Sequence, residues 1–524
     1  MLNKFFHSTL ILTLLIFIAS CNKDASRIIE NKAATFIIYT FDEYGTPSGS
    51  GSGFFIEESG VGLTNFHVLD GSTKAIIITP DSAKYEIDKV LFADEDKDII
   101  KFKIKSEDDK KFETLKLSND EPSQADRTYC ISNPRALECS FSEGIISAVR
   151  SDKKHGKVIQ FTAPISPGSS GAPVMNEHGE VIAIATYQRR DGQNLNFGVY
   201  LNEEILGSIK SDEFSKKNDK FTKRDKFIVV NKKADNDPFS ILNAIEFGDD
   251  FTTLYFSYTR MNMTPSTDDK WGFWLNLNQS DNGFHIRDLE TNQNYYILSS
   301  TVGEDVSHST NVPLATTLHY KVYLPKITSE LKRISVSERN DSRSSQWNEI
   351  ILTESNNFTN FSIDNYQTSY ALAALGENDQ TEAQSRFLDV LNNDPGDIIA
   401  LNSLGVLSYV NDNYSDATSY FDKAIETNPL VEESYVNRHF LKLRQKDVES
   451  ALLDISKAIS ISPEESSYYI YREKIYLYLG DKEKAMNDFF KADETWAKDY
   501  NRDRLGNGYN KMSVYDYFLK VRFN

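Results

Sequence analysis

A chain of 524 residues is too long for one compact core and implies three or four domains. With 40% hydrophobic, 12% aromatic and 26% charged residues, its composition is that of folded soluble material, which excludes a disordered chain and a membrane channel. A formal net charge of -19 repels a phosphate backbone and excludes nucleic acid as a partner.

The chain opens with Lys4 and an apolar run from Leu10 to Ala19, too short to span a bilayer as a mature helix, and reads as an export signal over residues 1–20. The run ends in Ile18-Ala19-Ser20-Cys21, which resembles the bacterial lipobox. That resemblance implies a diacylated Cys21 at the head of a tether, residues 21–32. The membrane partner is then the lipid alone, and the chain faces the periplasm from the bacterial envelope, with the inner membrane, the outer membrane and the cell surface all left open.

From 33 to 209, short β-patterned runs (TFIIYTF, GSGFFI, KAIIIT, GIISAV, VIQFTA, EVIAIAT) follow one another without amphipathic helices, as in an all-β architecture of two small barrels. The Lys/Arg-dense run from Lys216 to Lys233 reads as solvated polypeptide, and residues 210–226 as a polar linker. A second β-patterned stretch, 227–361, alternates large apolar and polar residues like a half-exposed sandwich. His285, His308 and His319 are scattered there without metal-ligand spacing, and no metal is expected.

At about residue 364 the period turns helical, and a 34-residue self-similarity emerges. Pro395, Pro429 and Pro463 are in register, as are Ala383, Ala417, Ala451 and Ala485, and Phe387, Phe421, Ile455 and Phe489. The pattern resembles four tetratricopeptide repeats over 364–499, an all-α solenoid whose concave surface recruits a protein partner. Residues 500–524 read as a capping segment.

Three pieces within 33–209 carry chemistry. Gly51-Ser52-Gly53 precedes Leu63-Thr64-Asn65-Phe66-His67, a histidine at a strand-to-turn corner suited to a general base. An acidic turn with Asp94, Asp96 and Asp98 runs into an apolar strand; Asp98 adjoins the strand and is preferred as the carboxylate orienting His67, with Asp94 and Asp96 as competitors. Pro167-Gly168-Ser169-Ser170-Gly171 frames Ser170 as nucleophile, Ser169 being less well framed, with the amides of Gly168 and Ser170 as oxyanion donors.

The order His67, Asp98, Ser170 and the separations of 31 and 72 residues resemble the HtrA/Deg protease domain of the trypsin-like superfamily. Ile131-Ser132-Asn133-Pro134, Gly144-Ile145-Ile146-Ser147-Ala148 and Asn176-Glu177-His178-Gly179-Glu180 extend the match. The resemblance implies a serine endopeptidase with a double β-barrel, a role in protein quality control, a protein or peptide substrate, an acyl-enzyme route and no cofactor. It puts the specificity pocket's floor at Pro164, Ile165 and Ser166 and its wall at Ala183, Ile184 and Ala185. With no carboxylate among them, cleavage is expected after small or medium aliphatic residues.

Two features depart from that family or add to it. No PDZ domain follows the protease region; the β region and the repeats stand in its place. Cys130 and Cys139 bracket a short hairpin, where a disulfide and two buried free thiols are both compatible with the spacing. The competing reading of the whole chain is a catalytically silent lipoprotein adaptor acting through its repeats.

Overall fold

The computed structural model describes residues 28–106, 110–132, 140–188, 195–208, 227–235, 237–261, 263, 272–273, 275, 283–302, 310–327, 331–337, 345–352, 362–376 and 379–500. Cys21, Cys139, His308, residues 210–226 and 501–524 lie outside them.

Two closed antiparallel barrels form the N-terminal region. The first contains β1 (Thr35–Phe41), β2 (Pro47–Glu57), β3 (Val61–Thr64), β4 (Lys74–Ile78), β5 (Lys84–Asp94) and β6 (Ile99–Ile104), in the order β1-β2-β3-β6-β5-β4. The second contains β7 (Arg127–Ser132), β8 (Ser140–Asp152), β9 (Gly156–Phe161), β10 (Pro173–Met175), β11 (Val181–Gln188) and β12 (Asn196–Tyr200), in the order β10-β11-β12-β9-β8-β7. A short helix α1 (Phe66–Leu69) follows β3, and α2 (Glu203–Ser208) follows β12.

Burial explains why β1 lacks polar alternation. Phe36 and Ile38 face the barrel core, while Ile37, Tyr39 and Phe41 face outward into a second cluster with Phe227, Val229, Ala244 and Tyr255 of the next domain. Both faces of the strand are covered, so both are apolar. β11 is similar: Val181 and Ile184 enter one core, Ile182, Ala183 and Ala185 another.

The middle region consists of β13 (Phe227–Lys233), β14 (Ser240–Phe247), β15 (Phe251–Arg260), β16 (Gly272–Phe273), β17 (His285–Asp288), β18 (Asn294–Tyr296), β19 (Ser299–Ser300), β20 (Thr310–Asn311), β21 (Thr316–Pro325), β22 (Arg333–Ser337) and β23 (Gln346–Ile351). A five-stranded sheet, β13-β14-β15-β21-β19, and a four-stranded sheet, β18-β17-β22-β23, share one core around Trp347, Phe256, Phe284 and Tyr320. Two sheets closing on one apolar layer make the sandwich expected from the alternation.

The C-terminal region is helical: α3 (Ile363–Gly376), α4 (Gln380–Asn393), α5 (Ile398–Val410), α6 (Tyr414–Thr427), α7 (Glu432–Arg444), α8 (Val448–Ile461), α9 (Ser466–Tyr478) and α10 (Lys482–Tyr500). Ala383, Ala417, Ala451 and Ala485, in 34-residue register, are fully buried where consecutive helices meet. Caps keep the same register: Asp379, Asn413, Asp447 and Asp481 each accept from the backbone N–H three residues on, at 2.9, 3.4, 3.1 and 3.1 Å.

The helices are docked on the β domain. Phe239, Ile241, Met261, Met263 and Ala315 share a core with Leu372 and Leu375 of α3, Leu404 and Leu407 of α5 and Leu441 of α7. Thr317 Oγ1 donates to Leu372 O (2.7 Å), and Met263 N to Asn437 Oδ1 (3.1 Å). Tyr366 of α3 reaches the first barrel: its ring lies 4.6 Å from Tyr39 and 5.4 Å from Phe41. Its hydroxyl contacts the carbonyls of Thr40 (3.1 Å) and Gly49 and accepts from Gly49 N (3.2 Å).

Candidate active site

Strand β3 delivers Asn65, in extended conformation, to the N-cap of α1, and His67 sits in that single turn of helix. Asp98 ends the turn between β5 and β6 with φ of +55°, a left-handed conformation that Asp tolerates better than most residues. The placement brings both Asp98 oxygens to His67: Oδ1 accepts from the His67 backbone N–H (2.9 Å) and Oδ2 pairs with Nδ1 (2.8 Å). Asp98's side chain is only 7% exposed and His67's 49%, so the carboxylate is sheltered while the imidazole opens to the cleft. Asp94 instead binds Lys97, Nζ to Oδ2 at 2.7 Å, and Asp96 is exposed.

Asn65 does not cap its helix with its side chain. Its Nδ2 donates to Asp98 O (2.9 Å) and to Thr186 Oγ1 (3.1 Å) on β11, joining the two barrels behind the imidazole. Sequence reasoning missed both residues, because the bond spans 121 positions and nothing local marks either partner.

Ser170 lies on the loop before β10. Ser169 N donates to Ser166 O (2.9 Å), and Pro167 followed by Gly168 at φ +91° fits a type II turn. At Gly171 (φ +90°) a Cβ would fall 2.0 Å from Ser52 O and 2.2 Å from Thr64 Oγ1, so only glycine fits between Ser170 and the first barrel. Ser170 Oγ donates to Thr186 O (3.3 Å), and among the described residues no hydrogen bond joins it to His67. Ser169 is buried, its Oγ engaged with Ser132 Oγ (3.1 Å) and Ser166 N (3.2 Å), a structural position.

Pro164, Ile165 and Ser166 line a cavity of about 450 Å³ together with Ser132, Ser140, Phe141, Ser142, Glu143 and Ser169. Ala183, Ile184 and Ala185 are absent from this lining; they are fully buried in the cores that flank β11. Glu143 is a carboxylate that the sequence did not place here, and Arg127 stands 3.7 Å from it. Cys130 is a buried free thiol whose pKa burial pushes up to about 12, and Cys139 is outside the described residues. His285 bonds Gly283 O (2.9 Å). Among the described residues no cluster of His, Cys, Asp or Glu could hold a metal ion.

Residues 51–184 match the trypsin-like peptidase domain family. The match contains His67, Asp98 and Ser170. Protease Do-like 1, chloroplastic, of Arabidopsis thaliana is 31% identical over 189 residues, covering 34% of this chain and 43% of that protein. Serine protease HTRA1 of Xenopus laevis is 33% identical over 159 residues, covering 29% and 34%. The chain thus spans less than half the length of these relatives. Among solved structures, an HtrA-type protease AlgW with tripeptide is 25% identical, covering 35% of this chain and 62% of that one, with a TM-score of 0.32. No described helix is long and apolar enough to cross a membrane.

Proposed function

We propose that residues 33–209 form a serine endopeptidase domain that cleaves proteins or peptides through an acyl-enzyme. The observation that carries this reading is the sheltered Asp98 bound to His67 Nδ1 at 2.8 Å, together with a Ser170 framed by two glycines at positive φ on the loop before β10. In the proposed route Asp98 keeps the Nδ1 proton in place and His67 Nε2 takes the Ser170 proton as Oγ attacks the substrate carbonyl. The amides of Gly168 and Ser170 receive the developing oxyanion, and His67 then protonates the leaving amine. Water, deprotonated by His67, releases the acyl group. No step requires a cofactor.

The remaining assignments belong to the same proposal. Cleavage after small or medium aliphatic residues is supported by Phe141, Pro164 and Ile165 in the cavity lining, where the one carboxylate, Glu143, has Arg127 3.7 Å away as a counter-charge. Lipidation at Cys21 would hold the enzyme in the envelope, facing the periplasm. Residues 364–499 would act as tetratricopeptide repeats that recruit a substrate or partner, using faces that the β domain leaves uncovered.

Purified chain from Asn22 onward should hydrolyse casein, and Ser170→Ala should abolish that activity; equal activity in the variant sinks the reading. One observation favours a second reading, a resting state or silent adaptor. Ser170 Oγ is engaged by Thr186 O and must leave it for His67 before it can react. In that case a phosphonofluoridate labels Ser170 only when a ligand is added, or not at all.

A further inference from the structure

We infer that Ser52 is a positioning residue that clamps the nucleophile turn from the opposite barrel, an inference that rests on the proposed protease reading. Ser52 lies in β2, fully buried, paired with Ile37 of β1. Its backbone N–H donates to Ser170 O at 2.7 Å. Its hydroxyl donates to Gly168 O at 2.8 Å, across 116 positions of sequence. One residue of the first barrel therefore holds the carbonyls on both sides of Ser169, in the second.

The need for such a clamp follows from the backbone. Gly168 and Gly171 both sit at positive φ, and glycines give the loop between them wide conformational freedom. An oxyanion site works only if its donors are fixed before charge develops. The Gly168–Ser169 peptide is pinned at both ends, its N–H on Ser166 O (2.9 Å) and its C=O on Ser52 Oγ (2.8 Å). A carbonyl held there is not free to swing into the place where an oxyanion must form.

Ser52 is itself tied to the base. Thr64 Oγ1 donates to Ser52 O at 2.7 Å, and Thr64 ends the strand that leads into Asn65 and His67. The side chain of Ser52 is thereby a fixed point relative to both the base and the nucleophile, although it touches neither reacting atom. Tethering of that kind should appear in the rate of the chemical step and not in the binding of substrate.

The test compares Ser52→Ala, Ser52→Thr and Ser170→Ala with the wild-type chain from Asn22 onward. The readouts are kcat and KM on a peptide p-nitroanilide with an aliphatic residue before the scissile bond, the Ki of the boronic acid of the same peptide, and Tm. A boronate bound to Ser170 is tetrahedral and carries the oxyanion's charge; the free peptide does not. Ser52→Ala should lower kcat about tenfold, leave KM within about twofold and weaken the boronate by the factor lost in kcat. Ser52→Thr, which keeps the hydroxyl, should recover most of the loss. If Ser52→Ala fails to fold, Ser52→Cys, of similar size with a weak donor, serves for the same comparison. Wild-type activity with unchanged kcat in Ser52→Ala, or a loss confined to KM, overturns the clamp alone. A wild-type chain inert to both peptide and boronate overturns the protease reading and the clamp with it.

Discussion

Asn65 Nδ2 and Thr186 Oγ1 meet at 3.1 Å across the junction of the two barrels, and the same amide also donates to Asp98 O. The pair fixes the separation between the start of the helical turn that bears the imidazole and the strand whose carbonyl engages Ser170. Asn65→Ala leaves the buried Asp98 carbonyl without this donor and should cost about 1–3 kcal/mol of stability, read from denaturant unfolding. Combined with Thr186→Val, the two losses should be less than additive, since they remove one shared interaction.

Asp98 and its neighbours separate orientation from mere acidity. Asp98→Asn keeps the shape but presents the wrong hydrogen-bonding pattern to Nδ1, and kcat on casein-derived peptides should fall by about 10⁴-fold. Asp94→Asn and Asp96→Asn should stay within about twofold of wild type, as surface substitutions do. A comparable loss in either neighbour would transfer the orienting role.

Much of this site was legible in the chain, and the limits are physical. His67 and Ser170 stand in local patterns of glycine and strand that announce a turn, whereas Asp98 was one of three aspartates within five residues. Only burial separates them: Asp98 is sheltered against His67, while Asp94 is satisfied by Lys97 and Asp96 faces solvent. Ser52 and Asn65 stood within the motif around His67 without a role of their own, and Thr186 carried no signal, because each acts through partners more than 100 residues away or through backbone atoms. Ala183, Ile184 and Ala185 were read as a wall from a family pattern, yet β11 turns their side chains into the two cores beside it. The helical repeat was visible in the 34-residue spacing of its prolines and alanines, while the caps at Asp379, Asn413, Asp447 and Asp481 and the docking of the helices on the β domain emerged only from the structure.

The pH dependence of stability should carry the mark of the joint between the β domain and α7. Burial, with Asp237 and Glu432 nearby, raises Glu433 from 4.5 to about 8, and burial also raises Asp237. A carboxyl raised in the folded state holds its proton more tightly there than in the unfolded chain. Its stabilising contribution is therefore complete below the ordinary value and is lost as pH rises toward the folded one. Tm should decline between about 4.5 and 8 relative to Glu433→Gln, in which this slope is absent. Identical slopes in the two proteins would contradict the assignment.

Tyr366 offers a separate measure of domain docking. Tyr366→Ala removes a fully buried ring between Tyr39 and Phe41 and should destabilise by about 3–5 kcal/mol. Tyr366→Phe removes only the hydroxyl at Thr40 and Gly49 and should cost about 1–3 kcal/mol. Calorimetry should show the barrel and helical transitions moving apart in the alanine variant.

The shared core of Phe239, Met261 and Met263 with α3, α5 and α7 bears on how such a chain could be assembled by gene fusion. Were the helices grafted from another protein, the sandwich would be left with a greasy flank and no cover. Were the sandwich exchanged, the helices would face the same loss. The two segments are consequently bound to be inherited together, and a shortened gene product ending before α3 should aggregate instead of yielding a free-standing protease with a spare domain.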